Sequence, residues 1–342
     1  TRLLQSGLIT RDELPHKYQH EIHANEIVLL AYYIAAINIE AVYHGIMNTP
    51  QHLPPRHSGL DPESSHANDG AQSAPLDTRL RGYDETTAGN VPYQPFEGIC
   101  LTDTFQMYEK DDLVDALLVD NSARRKRQKK LDIRVILGNP PYSAGQESAN
   151  DNNQNLAYPN LDRRIRDTYA ARSTATNKNA LYDSYIRAIR WASDRIGNAG
   201  VIGFVTNAGW LDTNTADGPR QCLAEEFSSI HVFHLRGNAR TSGEQRRKEK
   251  DNVFGSGSRA PIAISLLVKN PNGQPHGRIH FHDIGDYLSR DDKLEKITAF
   301  GSIAGIDATN AWKTITPDAH GDWLRGVAGQ FDVIASNPPY IA

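Results

Sequence analysis

The sequence predicts an α/β fold built on a doubly wound, mostly parallel sheet. Three observations carry that expectation. Short apolar runs (VIGFVTNAGWL, HVFHL, APIAISLLV) alternate with helical or loop segments. Between Tyr182 and Ile196, apolar residues recur at Tyr185, Ile186, Ile189, Trp191, Ala192 and Ile196, the spacing of an amphipathic helix, and Gly197 and Gly200 stand where a helix C-cap belongs. The composition is that of a globular chain: 342 residues, 39% hydrophobic, 23% charged, with 37 Lys+Arg against 41 Asp+Glu. Wholesale disorder, collagen and coiled coil are poor fits to those values.

This length leaves room for about two domains, or one large domain with insertions. Two Cys are too few for a disulfide scaffold or a multi-Cys zinc module. Neither His231 and His234 nor His280 and His282 have metal-ligand spacing, so no metal site is expected. The longest apolar stretch, Ile27 to Ile39, falls short of the roughly 20 residues of a membrane span. No secretory signal opens the chain, and a cytoplasmic protein without a membrane partner is the default expectation.

In chain order, Thr1 to Leu14 reads as a short helix closed by Pro15. Ile22 to Leu30 reads as a strand edge turning into a helix at Glu26; Ile27, Leu30, Ala31, Ile34, Ile37 and Ala41 then recur at helical spacing. Residues 48–92 are rich in Pro, Ser, His, Asp and Gly, with almost no large aliphatics, and read as a disordered insertion. FEGICLTDTF is a short strand ending in Asp103, and Gln106 to about Lys130 a charged helix. Ile133 to Leu137 reads as a buried strand running into a Pro-rich turn, and residues 143–180 as a long polar loop. His280 to Leu324 is weakly patterned, and GQFDVIASNPPYIA is again a strand entering a turn.

Asn-Pro-Pro-Tyr occurs twice, at Asn139, Pro140, Pro141, Tyr142 and at Asn337, Pro338, Pro339, Tyr340, each time after an apolar strand. One reading is a rigid turn, since proline fixes φ and removes a donor. The other is chemical. A conjugated or amide nitrogen is a poor nucleophile because its lone pair is delocalised. Two acceptors on its two N–H groups, here the Asn139 side-chain oxygen and the Pro140 carbonyl, would aim that lone pair at an electrophile with little reorganisation. Tyr142 offers a flat face to a planar substrate.

These residues resemble the S-adenosylmethionine-dependent amino methyltransferases that carry (Asn/Asp/Ser)-Pro-Pro-(Tyr/Phe). Within them the chain is similar to the γ-class adenine methyltransferase module of the Type ISP restriction–modification enzymes. RLLQSGLI, HANEIVLLAYYIAAINIE, YQPFEGICLTDTF, IRVILGNPPYSAGQ, LYDSYIRAIRWASDRI and VFGSGSRAPIAISLLVKN carry the likeness in order and spacing, over about Thr1 to Trp323, with the insertion after Met47 as a departure. The resemblance implies a Rossmann-like methyltransferase sheet, S-adenosylmethionine as cofactor, and methyl transfer to the 6-amino group of an adenine flipped from double-stranded DNA. It also implies nuclease and helicase parts in the full polypeptide.

The resemblance assigns roles by residue. Glu26 would bind the donor's ribose hydroxyls, or is a solvated helix-start Glu. Asp103 would contact the donor's adenine amine, or caps a strand end. Phe254 would stack on the base opposite Tyr142, or is a core Phe. The basic run that opens Arg124, Arg125, Lys126, Arg127 reads as phosphate contact or as a solvated helix end. Direct transfer needs no thiol, and neither Cys100 nor Cys222 lies in a plausible motif.

The pattern breaks at both ends. No Asp-Pro-x-x-Gly-x-Gly-x-Phe phrase occurs, and GSIAGI at Gly301–Ile306 comes too late to replace it. The expectation is a fragment whose sheet lacks its first strand and Gly loop and which is inactive alone. LRGVAGQFDVIASNPPYIA resembles instead the release-factor glutamine methyltransferases. Residues 1–323 are therefore expected to form the adenine methyltransferase core and residues 324–342 a foreign or chimeric tail. Protein glutamine methylation and a donor-binding-deficient DNA-binding remnant are the alternative functions.

Overall fold

A computed structural model describes residues 1–49, 91–109, 119–141, 157–255, 258–273 and 275–324. Most of the 48–92 insertion, Tyr142, and the second Asn-Pro-Pro-Tyr with all of the tail but Leu324 lie outside the described residues. The described chain divides into two units, Thr1–Asp103 with Val119–Arg125 and Thr104–Leu118 with Lys126–Ala342.

In the first unit, helix α1 (Arg2–Gln5) stops before Gly7, whose φ of +70° a side chain would resist. Pro15 lies inside α2 (Leu14–His16), where its missing N–H is harmless. The opening is thus two short helices, not one helix closed by Pro15. Strand β1 (Ala24–Glu26) pairs in parallel with β2 (Ile99–Leu101), Glu26 opposite Leu101.

Between them runs α3 (Leu29–Asn48), which packs Ala35, Ala36, Ile39 and Tyr43 into a core with Tyr18 and Phe96. The Tyr18 and Tyr43 rings stack at 3.8 Å. Glu40 accepts hydrogen bonds from Tyr93 Oη and the Phe96 amide, both at 2.8 Å. The other face of α3 exposes Leu30, Tyr33, Ile34 and Ile37. At 20 residues α3 is long and apolar enough to cross a membrane by length and composition, so the apolar stretch is not too short as expected from Ile27 to Ile39. Tyr43 and Glu40 nevertheless hold one face of it in the folded unit.

The second unit is a six-stranded sheet in the order β3-β4-β6-β5-β7-β8. Its strands are β3 (Val135–Gly138), β4 (Gly200–Asn207), β5 (Ser229–Arg236), β6 (Ile262–Lys269), β7 (Arg278–Asp283) and β8 (Lys313–Ile315). The α/β expectation holds, but the sheet is mixed rather than mostly parallel. β3–β4 and β5–β7 are parallel, while β6 runs antiparallel to both β4 and β5, and β8 to β7. Strand direction leaves no mark on an apolar run, so the sequence could not have shown this.

β3 is an edge strand, with Val135 and Leu137 exposed at 59% and 75%, not the buried strand expected. Helix α4 (Val119–Lys130) precedes it. Part of the expected polar loop is helical: α5 (Pro159–Ile165) continues as a wider turn to Ala170. It buries Leu161, Ile165 and Tyr169 at helical spacing that the surrounding Asn and Arg residues disguise. Helix α6 (Ser184–Arg195) forms as predicted and ends before Gly197 at φ +65°. Helices α7 (Asp217–Glu226), α8 (Gly243–Glu249), α9 (Arg290–Phe300) and α10 (Ile303–Ala308) complete the unit. The packed core reaches Trp323, 1% exposed and edge-on to Trp210 at 5.3 Å.

Candidate active site

Parallel pairing brings two predicted carboxylates to one end of the small sheet. Glu26 is the last residue of β1 and Asp103 lies two beyond the end of β2. The Thr102 amide donates to the Glu26 carbonyl at 2.8 Å, which fixes that register. Glu26 Oε1 accepts from the amides of Ile27 and Val28 at 2.9 and 3.0 Å, so the carboxylate also caps the turn into α3. Carboxylates only accept, which fits them to the hydroxyls and exocyclic amine of a nucleoside. On the far edge of β2, Asn121 imitates a further strand, its Oδ1 accepting from the Leu101 amide and its Nδ2 donating to the Leu101 carbonyl. Nothing in the sequence had marked Asn121.

In the second unit, Asn139 and Pro140 follow directly on β3. Asn139 is exposed and Pro140 half-buried. Gly138 allows the close approach that precedes them, since a Cβ there would meet Phe204 Cε1 at 3.2 Å. Beside it, parallel β4 runs on to Asn207, whose Oδ1 accepts from the Gly209 amide at 2.9 Å. The Ala208 amide donates to the Pro261 carbonyl at 2.8 Å, tying this turn to the segment that enters β6.

The antiparallel course of β6 matters here. An antiparallel neighbour needs no crossover, so the connection 237–261 stays at the end of the sheet where β4 and β5 finish. That is also the end at which β3 delivers Asn139. Phe254 lies in this connection and is 46% exposed, so it is not a core Phe. Its amide donates to Asn252 Oδ1 at 2.9 Å. Asn252 Nδ2 in turn donates to the carbonyls of Ala260 and Gly237 at 2.8 and 3.3 Å. Arg290 Nε reaches the Val253 carbonyl at 3.1 Å, and buried Lys293 donates to the carbonyls of Asp251 and Glu249. Burial pushes the Lys293 ammonium down to about 8. Nothing in the sequence marked Asn252 or Lys293, since each acts through backbone carbonyls of other segments.

The basic run does not behave as one surface. Arg125 is 3% exposed, and burial holds its guanidinium below its usual range. Arg124 donates to Tyr32 Oη at 3.0 Å. Both therefore face protein, while Lys126 and Arg127 face outward. Cys100 and Cys222 are buried, and burial pushes the Cys222 thiol up to about 11, leaving it un-ionised at neutral pH. His231 and His234 both lie within β5, and the His231 and His280 rings stack at 4.6 Å. A cleft of about 280 Å³ lined by Tyr108, Asn160, Arg163, Arg164 and Asp167 includes none of the predicted site residues.

The second unit thus places Asn139, Pro140 and the braced Phe254 at one end of its sheet. No protein-family model matches the chain, and no curated protein matches it. Solved structures do. A nuclease-deletion mutant of the Type ISP restriction–modification enzyme LlaGI, in complex with a DNA substrate mimic, is 42% identical over 94% of this chain and 23% of its own, with a TM-score of 0.75. The ATP-dependent Type ISP enzyme LlaBIII bound to DNA is 40% identical over 94% of this chain and 18% of its own, TM-score 0.76. DrdV in a DNA complex is 33% identical over 94% and 26%, TM-score 0.72. The chain is thus similar, over nearly all its length, to a segment of the Type ISP restriction–modification enzymes LlaGI and LlaBIII, and spans about a fifth to a quarter of each of the three chains.

Proposed function

We propose that this chain is the methyl-transferring segment of a DNA restriction–modification enzyme, acting on the 6-amino group of a flipped adenine. The observation that carries this reading is the exposed Asn139, followed by half-buried Pro140, at the end of β3 in a chain 42% identical to a segment of LlaGI. Asn139 Oδ1 and the Pro140 carbonyl would accept the two amine hydrogens, orienting the nitrogen lone pair out of the ring plane. Tyr142 and Phe254 would stack on the extruded base, each contact worth about 1–3 kcal/mol, against a flipping cost of a few kcal/mol. Glu26 and Asp103 would hold the ribose hydroxyls and adenine amine of S-adenosylmethionine, which supplies an electrophilic methyl group when bound. Lys126 and Arg127 remain as candidates for phosphate contact.

No Asp-Pro-x-x-Gly-x-Gly phrase occurs in the 342 residues. Donor binding by this chain is therefore expected to be weak and to strengthen when a segment bearing that loop is supplied. A cytoplasmic setting and nuclease and helicase parts elsewhere in the polypeptide complete the reading. The experiment offers the loop-supplemented protein labelled S-adenosylmethionine with both duplex DNA and a glutamine-bearing peptide. Label recovered as N6-methyladenine supports the proposal. Label in the peptide alone would overturn it in favour of amide methylation.

A further inference from the structure

We infer that Arg240 and Arg259 form a phosphate-binding pair beside Phe254, gripping the nucleic-acid backbone next to the extruded base. This rests on the function proposed above. The Ala239 amide donates to the Arg259 carbonyl at 3.0 Å, so the two arginine-bearing segments run side by side. Asn252 clamps the same two segments through the Gly237 and Ala260 carbonyls and also holds the Phe254 amide. One buried side chain thus ties together the backbone segments that carry both arginines and the aromatic.

Charge favours an anion there. Residues 238–259 carry Arg240, Arg246, Arg247, Lys248, Lys250 and Arg259 against Glu244, Glu249 and Asp251, a local +3 in a chain whose net charge is −4. The cations on α8 are partly used: Arg247 pairs with Glu244, and Lys248 lies 3.9 Å from Asp286. Arg240 and Arg259 are exposed, and among the described residues neither forms an ion pair. A guanidinium matches two phosphate oxygens in its fork, and an arginine paired with no carboxylate gives up no internal partner to do so.

The test measures binding of residues 1–342 to a fluorescent duplex with a mismatched adenine, which lowers the cost of flipping, between about 50 and 200 mM salt. Arg240→Ala with Arg259→Ala should reduce the slope of log K against log salt by about 1.8, the value for two lost phosphate contacts. Arg240→Lys with Arg259→Lys should retain the slope, because a point charge still releases the counterion. Phe254→Ala should weaken binding about tenfold with the slope unchanged. An unaltered slope in the double alanine variant, with Phe254→Ala still weakening binding, overturns the arginine pair alone. Absence of DNA binding, or indifference to Phe254→Ala, overturns the functional reading beneath it.

Discussion

Lys293, wholly buried in α9, donates to the carbonyl of Asp251 at 2.6 Å, three residues before Phe254. The same ammonium reaches the Glu249 carbonyl at 3.1 Å, so a helix side chain replaces solvent for two turn carbonyls. Lys293→Met strips both carbonyls of their donor and should cost about 1–3 kcal/mol in urea unfolding at pH 7. The pH dependence has a definite sign. The native ammonium titrates near 8 against an ordinary 10.5, so between those values the unfolded chain binds more protons. The cost of burying the charge is full below about 8 and is relieved as pH rises toward 10.5. The stability gap between the protein and Lys293→Met should therefore widen between pH 7.5 and 10; a constant gap would contradict the assignment.

A second titration acts on the acid side. His231 stacks on His280 at 4.6 Å and meets Trp312 edge-on at 5.2 Å. Burial, with help from His280 and Arg278, pushes the His231 imidazole down to about 4. The unfolded His binds its proton near 6.5, so this contribution is present above 6.5 and is lost as pH falls toward 4. The full loss, reached below pH 4, is on the order of 3 kcal/mol. His231→Phe should flatten the acid limb of a plot of unfolding free energy against pH. An unchanged limb would place the acid sensitivity elsewhere.

Arg220 is completely buried and donates to the carbonyls of Trp210, Thr213 and Gly321 and to Asp322 Oδ1 at 2.5 Å. Asp322→Ala leaves that guanidinium without its carboxylate in the interior, at a cost of about 3–5 kcal/mol. Thermal unfolding should show a drop of many degrees. A small shift would mean that the Trp210–Trp323 contact and the surviving Arg220–Gly321 hydrogen bond are enough to hold residues 318–324.

How far the sequence could be read follows the physics of each element. Helix α6 was legible because one face carries Tyr185, Ile189 and Ala192 at helical spacing and a glycine ends it. Strands β4, β5 and β6 were legible as apolar runs, but their directions were not, and direction is what keeps Phe254 at the sheet end reached by Asn139. β3 looked buried because Val135 and Leu137 are apolar; only the pairing shows it to be an edge. Asn139 stood out because Asn-Pro-Pro-Tyr follows an apolar strand, whereas Glu26 and Asp103 were marked by the family resemblance alone, and the roles proposed for all three rest on those grounds. Arg125 misled, since a run of cations conceals which of them turns inward. Asn252, Asn121 and Lys293 were invisible for the opposite reason: each acts through backbone carbonyls or amides that belong to other segments.

Asn139 and the Pro140 carbonyl are proposed to hold an adenine amine for methyl transfer. The most direct test of that role compares the loop-supplemented protein with its Asn139→Ala variant, measuring labelled methyl incorporated as N6-methyladenine and, in parallel, donor affinity by calorimetry. The predicted result is a fall in transfer of about a hundredfold or more, the scale of one lost oriented acceptor or donor at a reacting group, with donor affinity unchanged. Undiminished transfer by Asn139→Ala would contradict the account.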